Sequence, residues 1–271
     1  MSLVQTDWLE KNLNDVKIID CSWHMPQVKR DGFEEYKNNH IPNAIFFDLD
    51  SNSKKDTNLP HMLVEMNIWE KIVSRMGINK NDKIVIYDNS DVISSCRCWF
   101  NFIYFGHDPK LVHVLNGGLK KWMNEKRKIT NNFTNIQTSD YKSFEKKELV
   151  KNKYLIDQNI KNKKFEVIDA RSRERFNGSI PEPRKGLRGG NIKNSFCLPF
   201  DHCLNKNKTF KSKDELKVIF ETCLKSVDEK NVVFSCGSGV TACVLALAYS
   251  LINDKYYPQI YDGSWAEYGI I

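Results

Sequence analysis

The segment Asn231-Val-Val-Phe-Ser-Cys236-Gly-Ser-Gly-Val-Thr-Ala242 runs from an apolar strand, through one cysteine, into a helix expected over 240–252. A helix N-terminus carries unpaired amides and a partial positive charge, so it favours an anion. The anion here would be the thiolate of Cys236, or a persulfide built on it, which is the chemistry of a sulfur nucleophile. Gly237 and Gly239 allow the turn backbone angles that residues with a Cβ resist. A buried cysteine at a strand end is the commoner fate of this residue type. Glycines on both sides of Ser238, and a helix starting at once, favour the nucleophile.

A thiolate alone suits several reactions. The Cys-x5-Arg phosphatase loop also sets a cysteine before a helix, but it needs an arginine six residues on to hold phosphate in a fork. That position is Ala242. Cysteine-dependent hydrolysis needs a histidine base, and none lies near Cys236 in the chain. A redox dithiol needs a resolving cysteine. Cys243 lies seven residues on, about two helical turns below, and reads as core.

The elements that must position this loop recur in two copies. Apolar strands at 16–20 and 165–171 carry Asp20 and Asp169. Short strand regions follow at 40–48 and 191–199, then amphipathic helices at 69–76 and 216–224. Apolar strands at 83–88 and 231–236 lead to apolar helices at 98–105 and 241–252. Each copy closes on a strand and a Gly-Trp signature, at 112–122 and 259–265. Strands alternating with helices predict an α/β fold, two tandem domains each with a mostly parallel sheet flanked by helices on both faces. Residues 126–153, rich in Lys, Asn, Thr and Ser, read as the linker between domains at 1–125 and 154–271. Asp88 falls where the second copy has Cys236, so only the second domain carries the nucleophile. A cleft between the domains is the expected home for a substrate.

Composition narrows the classes. The 271 residues carry a formal charge of +7, from lysines scattered along the chain rather than gathered into a nucleic-acid stripe. Eight cysteines form no CxxC pair and no zinc-ligand spacing. Met1 to Trp8 shows no basic leader before an apolar core, and the longest apolar stretch, 240–252, is too short to span a bilayer. The expectation is a cytoplasmic monomer that binds neither nucleic acid nor membrane, with no metal.

The loop Cys236-Gly-Ser-Gly-Val-Thr-Ala242 resembles that of the 3-mercaptopyruvate sulfurtransferases, within the rhodanese superfamily. The resemblance covers nearly the whole chain. It includes Asp20-Cys-Ser-Trp-His24, Arg30-Asp-Gly-Phe33, His40-Ile-Pro42, Phe46-Phe-Asp-Leu-Asp50, Pro60-His-Met62 and Phe105-Gly-His107 in the first copy. In the second it includes Asp169-Ala-Arg-Ser-Arg173, Arg175-Phe176, Pro181-Glu-Pro-Arg184 and Tyr261-Asp-Gly-Ser-Trp265. One departure is Gly190-Asn-Ile-Lys-Asn-Ser195, where relatives show Gly-His-Ile-Pro-Gly-Ala. It falls on the scaffold strand rather than on the loop.

The resemblance implies sulfur transfer through a covalent Cys236 persulfide, with no other cofactor. The donor would be 3-mercaptopyruvate, leaving as pyruvate, and the acceptor thioredoxin, glutathione or, in the assay tube, cyanide. It assigns donor binding to Arg175 and Arg184, whose planar forks suit a carboxylate and an enolate, and to the loop residues Gly237, Gly239, Val240 and Thr241. It also implies a proton relay of Ser238, His61 and Asp50, the last two from the silent domain. Gly237 and Ser238 are neutral where thiosulfate-specific relatives carry cations, which favours mercaptopyruvate. Thiosulfate as the better donor, and a persulfide carrier with little turnover, are the rival readings. His24, His40, His107 and His113 read as structural or surface residues, and Trp99, Trp122 and Trp265 as core.

Overall fold

The computed structural model describes residues 2–228 and 231–271. It divides into two compact units. One comprises Met1–Lys54, Leu63–Lys146 and Lys206–Thr209; the other comprises Lys55–Met62, Lys147–Asn205 and Phe210–Ile271.

The first unit holds β1 (Leu3–Val4), α1 (Thr6–Lys11), β2 (Lys17–Asp20), α2 (Gly32–Asn38), β3 (Ala44–Phe46), α3 (Met66–Arg75), β4 (Ile84–Tyr87), α4 (Ser95–Tyr104), β5 (Val112–Leu115) and α5 (Gly118–Asn124). Its sheet runs in the order β1-β5-β4-β2-β3, every pair parallel. All four residues of β4 are buried, as expected for a strand covered on both faces. On one face Ile18, Val85, Tyr87 and Leu115 pack with Leu9, Tyr36, Leu119 and Trp122. Elsewhere in the unit the α3 indole of Trp69 contacts Phe47, Phe102 and Phe105.

The second unit repeats the plan. It holds β6 (Val150–Lys151), α6 (Lys153–Asn162), β7 (Glu166–Asp169), α7 (Arg173–Asn177), β8 (Phe196–Cys197), α8 (Lys213–Glu221), β9 (Val232–Ser235), α9 (Ala242–Ser250), β10 (Ile260–Tyr261) and α10 (Ser264–Tyr268). The order β6-β10-β9-β7-β8 is again all parallel. Helix α9 is buried on nearly its whole circumference, so it forms the unit's interior rather than an amphipathic surface helix.

Four features depart from the sequence reading. Val150–Lys151, inside the stretch read as linker, is an edge strand paired with β10. Residues 126–146 run along the first unit, where His40 and Thr130 exchange backbone hydrogen bonds and Tyr141 stacks on His107. The segment Lys55–Met62, expected in the silent domain, belongs to the second unit. Finally, Asn194 takes the left-handed conformation (φ +65°) at the turn where relatives have glycine. Asparagine is among the residues that tolerate this region best. Asn43 does the same in the first copy (φ +67°), so the unusual sequence keeps the repeat's turn.

A carboxylate is buried at the end of each strand β2 and β4. Burial raises the Asp20 carboxyl from 3.8 to about 7, against hydrogen bonds from Ser22 and Tyr87 and with help from the charge of Asp88. The native protein therefore keeps a proton that the unfolded chain releases above about pH 4. The stability this proton brings is complete below that pH and is lost as pH rises to about 7. Asp20→Asn should accordingly lose less stability than wild type between pH 5 and pH 8. The difference is bounded at about 4 kcal/mol by the size of the shift. Urea unfolding at the two pH values measures it; equal losses in the two proteins would remove Asp20 as the cause.

Candidate active site

Strand β9 is the middle strand of its sheet and pairs with β7 in the register Asp169↔Ser235. The next residue after β9 is Cys236. It thus stands at the carboxyl end of the sheet, at the crevice where strand order reverses, the usual ligand position in open α/β sheets. Helix α9 starts at Ala242 rather than at residue 240, so a five-residue loop separates thiol and helix. Among the described residues, Gly237, Ser238, Val240 and Thr241 donate their N–H groups to no backbone acceptor. Thr241 is half-buried and the other three have little or partial exposure, so the loop gathers spare donors in a largely dry place.

The closing turn clamps this loop. Trp265 N–H donates to the Cys236 carbonyl and Ala266 N–H to the Gly237 carbonyl, both at 2.9 Å. The N–H of Cys236 donates to Ser264 Oγ at 3.1 Å, and that hydroxyl donates to the Tyr261 carbonyl at 2.8 Å. Ser264 is fully buried and held at φ +50°, a strained region for a residue with a Cβ. The equivalent residue of the first unit is Gly118 (φ +56°), where a Cβ would lie 2.4 Å from the Asp88 carbonyl. Reading the Gly-Trp signature as core packing therefore missed its second task. The repeat offered the signal, since the same turn follows the last strand in both copies.

The two loop glycines serve different ends. Gly239 has φ +76° and needs its missing Cβ for the backbone. Gly237 takes no such angle; it is kept small by what lies over it. A Cβ there would sit 3.2 Å from Arg175 Nη2 and 3.7 Å from Arg184 Nη1. Both guanidinium groups thus converge on the residue beside Cys236. Arg175 is carried by α7, which Ser172 caps and Gly178 ends at φ +74°, against the backbone of Gly189 and Gly190. Arg175 makes an ion pair with Glu182 at 2.6 Å and lies over Gly237 as well.

Arg184 Nη2 also donates to Ser238 Oγ at 3.4 Å, and that oxygen is hydrogen-bonded to His61 Nδ1 at 3.0 Å. With the ring proton on Nε2, the serine O–H donates to Nδ1. His61 is buried and sits at φ +61°, a conformation that persists where its surroundings fix it. Asp50 lies in the first unit, where its carboxylate accepts the Trp23 indole N–H at 2.9 Å. Arg171 is buried, paired with Asp169 at 2.7 Å and Glu182 at 2.8 Å.

Two other thiols are poor nucleophiles. Burial pushes Cys197 up to about 11 and Cys203 up to about 12, so both stay protonated at neutral pH. Cys243 donates to the Gly239 carbonyl at 3.2 Å and serves the loop's backbone. His40 bridges the Tyr36 and Asn132 carbonyls, and His107 contacts Tyr141 and the Asp82 carbonyl, as structural histidines do.

Known proteins align with this arrangement along almost the whole chain. Residues 5–125 and 153–270 each match the family model of the rhodanese-like domain. Thiosulfate/3-mercaptopyruvate sulfurtransferase 1, mitochondrial, of Arabidopsis thaliana is 37% identical over 98% of this chain and 75% of that protein. The 3-mercaptopyruvate sulfurtransferase of Mus musculus is 34% identical over 98% of this chain and 91% of its own. The crystal structure of SseA from Escherichia coli, a 3-mercaptopyruvate sulfotransferase, superposes with a TM-score of 0.87 at 29% identity, covering 98% of this chain and 99% of that one.

Ser264→Ala should test the clamp. It leaves the Cys236 N–H and the Tyr261 carbonyl buried without their partner, at about 1–3 kcal/mol for each such group. A fall in thermal midpoint of several degrees is expected, together with reduced sulfur transfer; a midpoint unchanged within a degree would refute the clamp.

Proposed function

The chain belongs to the rhodanese family, as a sulfurtransferase built from two rhodanese-like domains, and from that premise we propose that Cys236 carries sulfur from 3-mercaptopyruvate to a thiol as a persulfide. The observation that carries this reading is the convergence of Arg175 and Arg184 on Gly237, one residue from the thiol. Two planar cations beside a nucleophile suit a donor with a carboxylate at one end and a sulfur at the other.

In the first half-reaction the Cys236 thiolate attacks the donor's sulfur. The carbon–sulfur bond breaks, and its electron pair passes into the enolate of pyruvate. Arg175 and Arg184 hold the carboxylate and the enolate oxygen, where negative charge grows. Protonation of the methylene carbon gives pyruvate. Ser238 and His61 form the relay that delivers this proton or activates the acceptor. The N–H groups of Gly237, Ser238, Gly239, Val240 and Thr241 cradle the persulfide anion at the entrance to α9. In the second half-reaction an acceptor thiol attacks the outer sulfur and the Cys236 thiolate returns. Thioredoxin or glutathione is the proposed acceptor, and no cofactor beyond the cysteine's own sulfur is required. The proposed setting is a reducing compartment, the cytoplasm, which suits a chain of eight cysteines with a nucleophile among them. Catalysis is assigned to the unit that carries Cys236, Ser238 and His61, with the first unit as the silent partner.

Thiosulfate is the second reading, because the name of the Arabidopsis thaliana relative includes both donors. Neutral Gly237 and Ser238 favour mercaptopyruvate. Steady-state pyruvate release with mercaptopyruvate and thioredoxin tests the proposal: Cys236→Ser should abolish it. Arg184→Ala should lower kcat/KM for mercaptopyruvate by about 2–5 kcal/mol of transition-state binding, if its charge pairing with the donor is desolvated. A higher wild-type kcat/KM with thiosulfate would overturn the choice of donor, and turnover in Cys236→Ser would overturn the mechanism.

A further inference from the structure

Glu182 stands at the centre of a buried row of alternating charges. Its carboxylate is 1% exposed. On one side it accepts from Arg171 Nη1 at 2.8 Å. On the other it accepts from Arg175 through Nε at 3.2 Å and Nη2 at 2.6 Å. Arg171 is itself immobilised. It donates to both carboxylate oxygens of Asp169 and to the Gly190 carbonyl, and its guanidinium lies 4.2 Å from the centre of the Trp265 ring. Prolines at 181 and 183 restrict the backbone on either side of Glu182. The carboxylate is therefore fixed from behind, and Arg175, whose side chain is 22% exposed, is the partner that reaches outward.

Two consequences follow for Arg175. Four rotatable bonds would otherwise let its guanidinium wander, and the two-point bond to Glu182 sets its plane over Gly237. The Nη1 group has no partner among the described residues, so it is presented for binding while Nε and Nη2 are held. The pairing also offsets most of the charge that Arg175 would bring to the site. A residual field of this kind discriminates weakly in favour of a second negative charge on a bound anion; a bare guanidinium would discriminate strongly.

We propose that Glu182 is a positioning and donor-selecting residue: it aims Arg175 at the donor and, by offsetting its charge, tilts the site toward a singly charged α-keto acid thiol over a doubly charged thiosulfonate-type anion such as thiosulfate. This rests on the reading of Arg175 as a donor-binding group.

Glu182→Gln is the test, with kcat and KM measured for both mercaptopyruvate and thiosulfate. KM for mercaptopyruvate should rise about tenfold with kcat within threefold of wild type, while kcat/KM for thiosulfate holds or rises. The donor ratio should then fall at least tenfold. A purely structural role would depress both donors together, and a ratio within twofold of wild type overturns the proposal. Glu182→Asp keeps the charge with a shorter reach. It should raise KM for both donors and leave the ratio alone; a ratio shifted as in Glu182→Gln would place the effect on packing and overturn the charge argument.

Arg175→Ala separates the two levels. If it leaves KM for mercaptopyruvate unchanged, the donor-binding reading of Arg175 falls and takes this inference with it. If it raises KM while Glu182→Gln leaves the ratio untouched, only the inference falls. In the double variant Glu182→Gln should add nothing to Arg175→Ala, and full additivity overturns the proposal. Should neither Glu182 variant fold, the wild-type protein decides. The Arg175 Nε–H resonance, assigned by its loss in Arg175→Lys, should be narrow and slow to exchange at neutral pH. A signal averaged with solvent-exposed arginines overturns the proposal.

Discussion

Three hydrogen bonds fix the backbone of Cys236 and Gly237, and the remainder of the site is arranged against that fixed point. The closing turn at 264–266 holds the Cys236 N–H, the Cys236 carbonyl and the Gly237 carbonyl at once. With those groups engaged, the loop's next N–H groups cannot fold back into a strand ladder or a helix turn. They are left over as donors at the entrance to α9. The clamp depends in turn on β10 lying beside β9, because the turn leaves β10 at the level where β9 ends. Sheet order, turn and loop are one device.

Charge is managed around that device by pairing rather than by dilution. Asp169 closes β7 beside the end of β9 in register, and its carboxylate begins the row through Arg171 and Glu182 to Arg175. Burying these groups without partners would be prohibitive, and burying them in pairs is tolerable only with good geometry. The paired contacts of 2.6–2.8 Å meet that requirement. What the row achieves is order: Arg175 reaches Gly237 from a base that does not move.

The fold was legible because its signals are long. Strands such as β4 and β9 are apolar throughout, and the repeat doubles every clue. Edge strands β1 and β6, two residues each, carry no periodicity to read, and they exist only because a neighbouring strand offers its edge. The nucleophile and the arginines could be named from motif and resemblance, but the reasons for their neighbours could not. Gly237 looked like a residue needed for backbone angles and is one needed for space. Glu182 and Ser264 stood in the sequence only as members of quoted motifs, with no task assigned to either. Each acts through a contact distant in sequence, 28 residues in the case of Ser264 and Cys236, and spacing does not encode such contacts.

The two copies also differ at the residue that follows the middle strand. In both, the residue after the middle strand faces the start of a helix. In the first unit that residue is Asp88, whose carboxylate accepts from Ser90 N–H at 2.8 Å and from Ser95 N–H, at the head of α4, at 2.9 Å. The helix entrance there already holds an anion, supplied by the chain itself. Burial nonetheless raises the Asp88 carboxyl above its ordinary range, so those donors only partly replace water. In the second unit the same position is a cysteine, and among the described residues no side-chain carboxylate takes the N–H groups of Gly237, Ser238, Val240 or Thr241. A helix entrance favours negative charge whatever its source. Filled from within it stabilises a loop, and beside the thiol those loop N–H groups take no side-chain anion among the described residues. A single exchange of aspartate for cysteine would not by itself convert one unit into the other. The first unit has the Ser90 and Ser95 N–H groups bonded to the carboxylate, and it has Asn89 and Asp91 where the second has Gly237 and Gly239.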